Sequence, residues 1–342
     1  MNCMERLINE IIDYNGDIVY FTASIYHILL SLILIRRSKS ERKSKIIMFS
    51  QKHTYKSMFV EFGERLESYG IESTILEPFN RIETLIGVSE KRVLKKLRID
   101  LGLNIDRYFL VNYSWNYYYT FFPASVMFDK CDKSVYIEEG ARQYVTEQLS
   151  RREARMKTLL LGHKNFWEQD KLITIYVQHD EKCPDYLKSK ITKFDINGFV
   201  NKKDEDNSYI LNFFLKNEDI KQIKKMKNEK CGIILTQHLV DLGLTEDEQR
   251  NLYKDIMKYY SKYGKVYLKI HPYDHVEYKY DDYSDFEIVN SNYPSEIYTF
   301  YGIDFEYAVG ISTSAIEMIN AKYIINLNEN FEQDKKVSMV AL

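Results

Sequence analysis

Short runs of β-branched and aromatic residues recur along the chain, separated by stretches with helical periodicity. In the first part they fall at Ile18–Phe21, Ile46–Phe49, Ser73–Leu76, Tyr108–Val111, Val135–Ile137 and Ile173–Val177. In the second they fall at Gly232–Thr236, Val266–Ile270, Phe286–Val289, Tyr307–Val309 and Tyr323–Asn326. Such runs read as strands. Strands alternating with helices predict parallel sheets joined by right-handed crossovers. Two such series, with no repeated sequence between them, predict an α/β chain of two Rossmann-like domains facing each other across a cleft.

The clearest helix signal lies between the first two strands of the second series. Thr245-Glu246-Asp247-Glu248 has the form of a capping box, and Leu252, Ile256 and Tyr260 then share one face. Gly264 stops that helix and the strand Val266–Ile270 follows, which puts His271 at the strand's carboxyl end. Pro272 biases His271 towards an extended backbone. After Gly198 comes the polar run Lys202-Lys-Asp-Glu-Asp-Asn-Ser208, followed by a helix predicted from Tyr209 towards Asn228. The polar run sets the domain boundary, giving domains 1–205 and 206–342.

Length and composition agree with this division. A chain of 342 residues suits two domains of roughly 150–200 residues. The 48 Lys and Arg against 50 Asp and Glu leave a net charge of −2, so no basic excess favours nucleic acid, and an anionic ligand must be met by a local site. Cys3, Cys131, Cys183 and Cys231 form no CxxC pair, the pattern of reduced thiols in a cytosolic protein. Ile25–Ile35 is almost continuously apolar but falls short of the ~20 residues of a spanning helix. Its basic pair, Arg36-Arg37, follows the apolar core rather than preceding it, unlike a signal peptide. It is expected to be a buried helix.

The candidate chemistry sits at strand ends, where open α/β sheets place their ligands. Glu138-Glu139-Gly140 follows the strand Val135–Ile137 and offers a carboxylate base. His271 can hydrogen-bond or protonate a departing phosphate, with Lys269 on the same strand near it. Ser312-Thr313-Ser314 lies between the strand Tyr307–Val309 and an apolar segment read as a helix, so its hydroxyls and backbone N–H groups are candidates for an anion site that Gly310 leaves open to close approach. Thr236-Gln237-His238, followed by Asp241, ends another strand, and it can touch a nucleotide or supply an alternative base. The tract Tyr113–Phe122 offers aromatic rings for sugar faces, although core packing is the commoner use. Taken singly, each cluster is also what a solvated acidic turn, a loop histidine or an ordinary helix cap would give. No Walker lysine loop, GxGxxG or HExxH is present, which argues against nucleotide hydrolysis and dinucleotide redox chemistry. Asp204-Glu205-Asp206 lies in the polar linker and is read as solvated, so no metal is expected.

Together, in this order and spacing, the acidic pair with glycine, the His-Pro pair and the serine/threonine cluster resemble the bacterial sialyltransferases of glycosyltransferase family 52. Phe21-Thr-Ala-Ser-Ile-Tyr-His27, the segment from Ile233-Ile-Leu-Thr-Gln237 to Lys269-Ile-His-Pro272, and Pro294-Ser-Glu-Ile-Tyr298 with Gly302 resemble it too. The resemblance implies a GT-B fold, CMP-sialic acid as donor, and inversion without a metal or other cofactor. It also implies a galactose-terminated lipooligosaccharide or capsular glycan as acceptor. Carried over, Glu139 or Glu138 is the base and His271 assists the leaving group. Gly140, Thr236, Gln237, Lys269, Pro272, Ser312, Thr313 and Ser314 serve the donor. The chain departs from the family in having Glu at both acidic positions, and His238 where a proline is more usual. The expected partners are a nucleotide-sugar donor and a glycan acceptor, with no nucleic acid. A cytoplasmic enzyme, one held at the inner face of the membrane, and a homodimer are all compatible with the sequence. Two other readings stay open: a related transferase using another nucleotide sugar, and a non-catalytic glycan- or nucleotide-binding protein of surface polysaccharide assembly.

Overall fold

The computed structural model describes residues 3–50, 56–77, 88–104, 107–113, 123–138, 169–194, 205–272, 274–279, 286–289, 292–311 and 313–327. The chain divides into two compact units, Met1–Phe199 and Val200–Leu342.

The first unit holds a seven-stranded sheet built from β1 (Asp17–Thr22), β2 (Ser44–Phe49), β3 (Glu72–Leu76), β4 (Tyr108–Asn112), β5 (Lys133–Ile137), β6 (Leu172–Val177) and β7 (Ile191–Lys193). All its pairings are parallel, in the order β3-β2-β1-β4-β5-β6-β7. The central strands β1, β2 and β4 are buried almost end to end, as expected where helices cover both faces of a sheet. The helices described in this unit are α1 (Cys3–Asp13), α2 (Ile25–Ser38), α3 (Lys56–Ser68), α4 (Val88–Leu101) and α5 (Pro123–Lys130).

Helix α2 settles the reading of the apolar run. Ile25, Ile28, Leu29, Leu30, Leu32, Ile33, Leu34 and Ile35 are all buried, so the helix is apolar around its circumference because protein surrounds it. Ser24 Oγ caps it by accepting from His27 N at 3.2 Å. Among the described residues no helix is long and apolar enough to cross a membrane.

The second unit holds β8 (Cys231–Leu235), β9 (Lys265–Lys269), β10 (Phe286–Val289), β11 (Phe305–Ile311) and β12 (Ala321–Leu327). Its sheet is also wholly parallel, in the order β10-β9-β8-β11-β12. The helices here are α6 (Glu205–Phe214), α7 (Asn217–Asn228), α8 (Glu246–Tyr260) and α9 (Ile297–Tyr301). Thr245 Oγ1 accepts from Glu248 N at 3.2 Å while Glu248 Oε2 accepts from Thr245 N at 2.8 Å, the reciprocal capping predicted for α8. Gly264 ends the following 3-10 turn at φ 141°, where a Cβ would also press on the Lys230 carbonyl oxygen at 3.0 Å.

Three expectations change. The helix expected from Tyr209 to Asn228 is two helices, broken at Leu215-Lys216, where Asp219 caps α7 by accepting from Lys216 N at 2.9 Å. Strand β7 has three residues, too few to leave a period in the sequence. The apolar segment after Ser312–Ser314 is a 3-10 turn, Ser314–Met318, and not an α-helix. The chain passes from Ile311 to the neighbouring parallel strand at Ala321, and so short a crossover leaves room for one tight turn.

Candidate functional site at the strand ends

In each unit the strand order reverses at one place, and ligands of open α/β sheets bind there, beyond the carboxyl ends of the strands. In the second unit the reversal lies between β8 and β11. The segments leaving those two strands are Thr236-Gln237-His238 and Ser312-Thr313-Ser314. Strand β9, the next outward from β8, leads into His271-Pro272. The topology therefore gathers the three polar clusters of this unit at the end of its sheet where ligand chemistry belongs.

Thr236 is fully buried and stitches two of these segments together. Its N–H donates to the Lys269 carbonyl oxygen at 3.0 Å, and its Oγ1 accepts from His271 N at 2.8 Å. Thr236 thus fixes the backbone of His271. The His271 carbonyl oxygen accepts from Asp274 N at 2.8 Å, which closes the turn around Pro272. Gln237 N donates to Tyr253 Oη of α8 at 2.7 Å.

Two buried residues that the sequence reading passed over hold this loop pair in shape. Gln249 sits on the core face of α8 without solvent exposure. Its Oε1 accepts from Leu239 N at 2.7 Å and Val240 N at 3.1 Å. Its Nε2 donates to both carboxylate oxygens of Asp274 at 3.0 Å and to Tyr278 Oη at 2.6 Å. Asp274 also accepts from Tyr278 Oη at 2.6 Å and Val276 N at 3.1 Å. One amide thereby clamps the loop after β8 to the loop after β9. The available signal was a glutamine in line with Tyr253, Ile256 and Tyr260, on the stripe that packs inward.

Lys269 is buried, with its Nζ 5.1 Å from the centre of the Tyr293 ring and donating to the Ile270 carbonyl oxygen at 3.1 Å. Burial pushes its pKa down to about 7, against the pull of Asp219 and Glu296. Glu296 is buried in turn, and its carboxyl is pushed up to about 7. Both shifts have one cause, loss of water around a charge. Burial likewise lowers His271 to about 4. The Lys269 and His238 charges add to this and Asp274 opposes it.

Thr313 is buried. A Cβ on Gly310 would meet Thr313 Cγ2 at 2.5 Å and Ile316 Cδ1 at 3.2 Å. The space over that glycine, expected to admit a ligand, is occupied by the chain's own turn. Ser312 lies outside the described residues, and Ser314 opens the 3-10 turn.

In the first unit Glu138 follows β5 and is buried. Its Oε2 accepts from Gln178 N at 2.5 Å and its Oε1 from Gln178 Nε2 at 3.3 Å. The carboxylate thus joins the end of β5 to the segment leaving β6. Glu139, Gly140 and the aromatic residues 114–122 lie outside the described residues, as does Asp204 of the acidic linker run, of which Glu205 and Asp206 begin α6. Among the described residues no group of three or more His, Cys, Asp or Glu side chains could hold a metal ion.

Comparison with known proteins adds to this picture. The model of glycosyltransferase family 52 matches residues 108–327, which takes in all three motif clusters but not Phe21–His27. An uncharacterized protein of Haemophilus influenzae is 24% identical over 288 residues, 84% of this chain and 87% of that one. Among solved structures, an α/β-galactoside α-2,3-sialyltransferase from Photobacterium phosphoreum is similar over 94% of each chain, with TM-score 0.54 and 14% identity. A UDP-GlcNAc 2-epimerase from Methanocaldococcus jannaschii is similar over 93% of this chain and 85% of that one, with TM-score 0.51 and 14% identity. At such identities the likeness is one of fold, the GT-B pairing of two Rossmann-like domains.

Proposed function

Because this chain belongs to glycosyltransferase family 52, we propose that it transfers sialic acid from CMP-sialic acid to a galactose-terminated bacterial surface glycan, lipooligosaccharide or capsule, with inversion and without a metal. The observation that supports this most is that the family match runs through the acidic pair, the His-Pro turn and the serine/threonine cluster alike. The shared fold with a galactoside sialyltransferase agrees with a sialyl donor.

In this mechanism a carboxylate of the Glu138–Glu139 pair takes the proton of the acceptor hydroxyl as its oxygen attacks the sialyl C2 carbon. The bond from C2 to the phosphate oxygen breaks through an oxocarbenium-like transition state, comparable to that of glycoside hydrolysis. The electron pair leaves with CMP, whose phosphate His271 hydrogen-bonds. Ser312, Thr313, Ser314 and the N–H groups around them hold that phosphate, with Gln237 beside them. Thr236 sets the His271 backbone, with Pro272 beside it, and Gly140 is carried over as a donor-binding position. The enzyme acts in the cytoplasm or at the inner face of the membrane, where a nucleotide-sugar donor is available.

The test is a thermal-shift panel of CMP, CMP-sialic acid, UDP, UDP-glucose, GDP and ADP, each with and without EDTA. A ligand at 100 times its dissociation constant stabilises the folded state by about 2.7 kcal/mol. Stabilisation by the cytidine nucleotides alone, indifferent to EDTA, is the expected result. Preference for UDP replaces the donor, and dependence on a divalent ion overturns the metal-free mechanism.

A further inference from the structure

Helix α4 has two unlike faces. Val93, Leu97 and Leu101 recur at i, i+4 and i+8, are buried, and belong to the core cluster that holds Val19 and Phe21 of β1 with Ile47 and Phe49 of β2. On the other side Lys91, Lys95 and Arg98 recur at i, i+4 and i+7. They line one exposed stripe about 10 Å long, at 1.5 Å per residue. Arg92, Lys96 and Ile99 flank it and are exposed too. Among the described residues Lys91, Lys95 and Arg98 make no ion pair. Lys96 Nζ lies 3.8 Å from Asp100 Oδ2, an oxygen that also accepts from Thr74 Oγ1 at 2.7 Å. Ile99 is 69% exposed, more than any other large hydrophobic side chain among the described residues.

A solvated helix face ordinarily mixes both signs of charge, and the chain as a whole has 50 acidic residues against 48 basic ones. The outer face of α4 departs from both patterns. Helix α7 is a useful contrast. It is rich in lysine as well, but Lys225 pairs with Glu287 at 2.6 Å and Lys227 donates to the Tyr301 carbonyl oxygen at 3.1 Å. It also displays no exposed large hydrophobic side chain. Cations without partners, set around an exposed aliphatic side chain, are complementary to a bilayer surface with anionic headgroups. The cations meet the phosphates, and the isoleucine enters the apolar boundary beneath them. A nucleic acid answers the charge but offers an aliphatic side chain nothing to enter.

We propose that the outer face of α4 docks the protein on an anionic lipid bilayer, with Lys91, Lys95 and Arg98 against lipid phosphates and Ile99 in the headgroup region. The contact is peripheral, since no helix among the described residues is long and apolar enough to cross a membrane. Each cation near such a surface contributes about fivefold in partitioning, and the attraction fades as salt screens it. The docking face goes beyond the transfer reading and does not depend on it. The two meet in that a protein lying on the bilayer is close to any acceptor glycan carried there on a lipid.

The experiment is flotation of the full chain with vesicles of phosphatidylcholine alone, and of phosphatidylcholine mixed with phosphatidylglycerol, at low and high salt. The wild type should bind the mixed vesicles, lose most of that binding at high salt, and ignore phosphatidylcholine alone. The triple variant Lys91→Gln/Lys95→Gln/Arg98→Gln should bind the mixed vesicles roughly a hundredfold more weakly, at about fivefold for each cation. Ile99→Ser should weaken binding about tenfold, a part of what full burial of the side chain gives. All these side chains are exposed, so the variants should melt with the wild type; if the triple variant fails to fold, each single substitution carries its own fivefold loss. The control Lys182→Gln/Lys221→Gln/Lys224→Gln removes the same charge from exposed positions on other elements and should bind nearly as the wild type does. A wild type that binds no anionic vesicle, or equal losses in the two triple variants, overturns the docking face. An Ile99→Ser protein that binds like the wild type, or tighter binding of RNA than of vesicles lost in the α4 triple variant, overturns the lipid as its partner. The thermal shift with CMP is read on the same proteins: vesicle binding without a nucleotide response overturns the transferase reading alone, and a nucleotide response without vesicle binding overturns the docking face alone.

Discussion

Replacing Gln249 by leucine tests whether one buried amide holds the two loops that carry His238 and His271. Leucine keeps the size of the side chain and removes its polar atoms. The part-buried Val240 N–H loses its acceptor, and the buried Leu239 N–H is left with the Gln237 carbonyl oxygen at 2.9 Å alone. Asp274 loses the donor that bridges both of its oxygens, and Tyr278 loses a partner. Each buried donor left without a partner costs about 1–3 kcal/mol. One such donor beside a buried carboxylate short of its bridging donor puts the loss at about 2–4 kcal/mol. For a unit of this size roughly 2–4 °C is lost per kcal/mol, so a fall in Tm of roughly 5 °C or more is expected.

Calorimetry and urea denaturation of Gln249→Leu and Gln249→Glu make the assay. The glutamate variant places a second carboxylate against Asp274. It should be damaged most at neutral pH and recover as the pH falls, when one of the pair takes up a proton. The leucine variant should show no such recovery. A Gln249→Leu protein that melts within about 2 °C of the wild type, equivalent to less than ~1 kcal/mol, would refute the reasoning, because the loops would then be held by something else.

Three further outcomes are expected. His271 has its pKa lowered from 6.5 to about 4, so between those values the unfolded state binds more protons than the folded one and stability rises with pH. That contribution is complete above pH 6.5, is lost as the pH falls through 4, and amounts to roughly 3 kcal/mol at 1.36 kcal/mol per unit; denaturation of His271→Asn should show a flatter acid limb, and an unchanged slope would count against it. Gly310→Ala should push the Thr313 turn off β11, costing about 1–3 kcal/mol as overpacking does, and should weaken CMP binding measured by calorimetry; unaltered stability and affinity would remove the turn from the site. Of Glu138→Gln and Glu139→Gln, one should lower kcat at least about a hundredfold and lose the acidic limb of the rate profile, and near-full turnover in both folded variants would show that the base lies elsewhere.

Strands such as Ile46–Phe49 and Tyr108–Val111 were legible because central strands of a parallel sheet are buried on both faces and read as unbroken apolar runs. Helix α8 was legible because its cap and its apolar stripe are both local signals. What escaped was short or non-local. Strand β7 is pinned only by its pairing with β6, and the turn Ser314–Met318 is short because its two flanking strands are neighbours in the sheet. The same split runs through the site. His271 announces itself beside a proline at a strand end, and the sheet order places it. Gln249 and Asp274 are 25 residues apart and gain their role only once β8 and β9 pair.

Burial also keeps Lys269, His271 and Glu296 from carrying the full charge each would have in water. Lys269 and Glu296 are both shifted towards neutrality by burial, and His271 is held in its uncharged form at neutral pH. A site of neutral donors costs less to bury than one of fixed cations. An incoming phosphate reverses the balance, because a neighbouring anion favours the charged imidazole and ammonium. If the proposed nucleotide binds here, the positive charge that holds it is created by its own arrival.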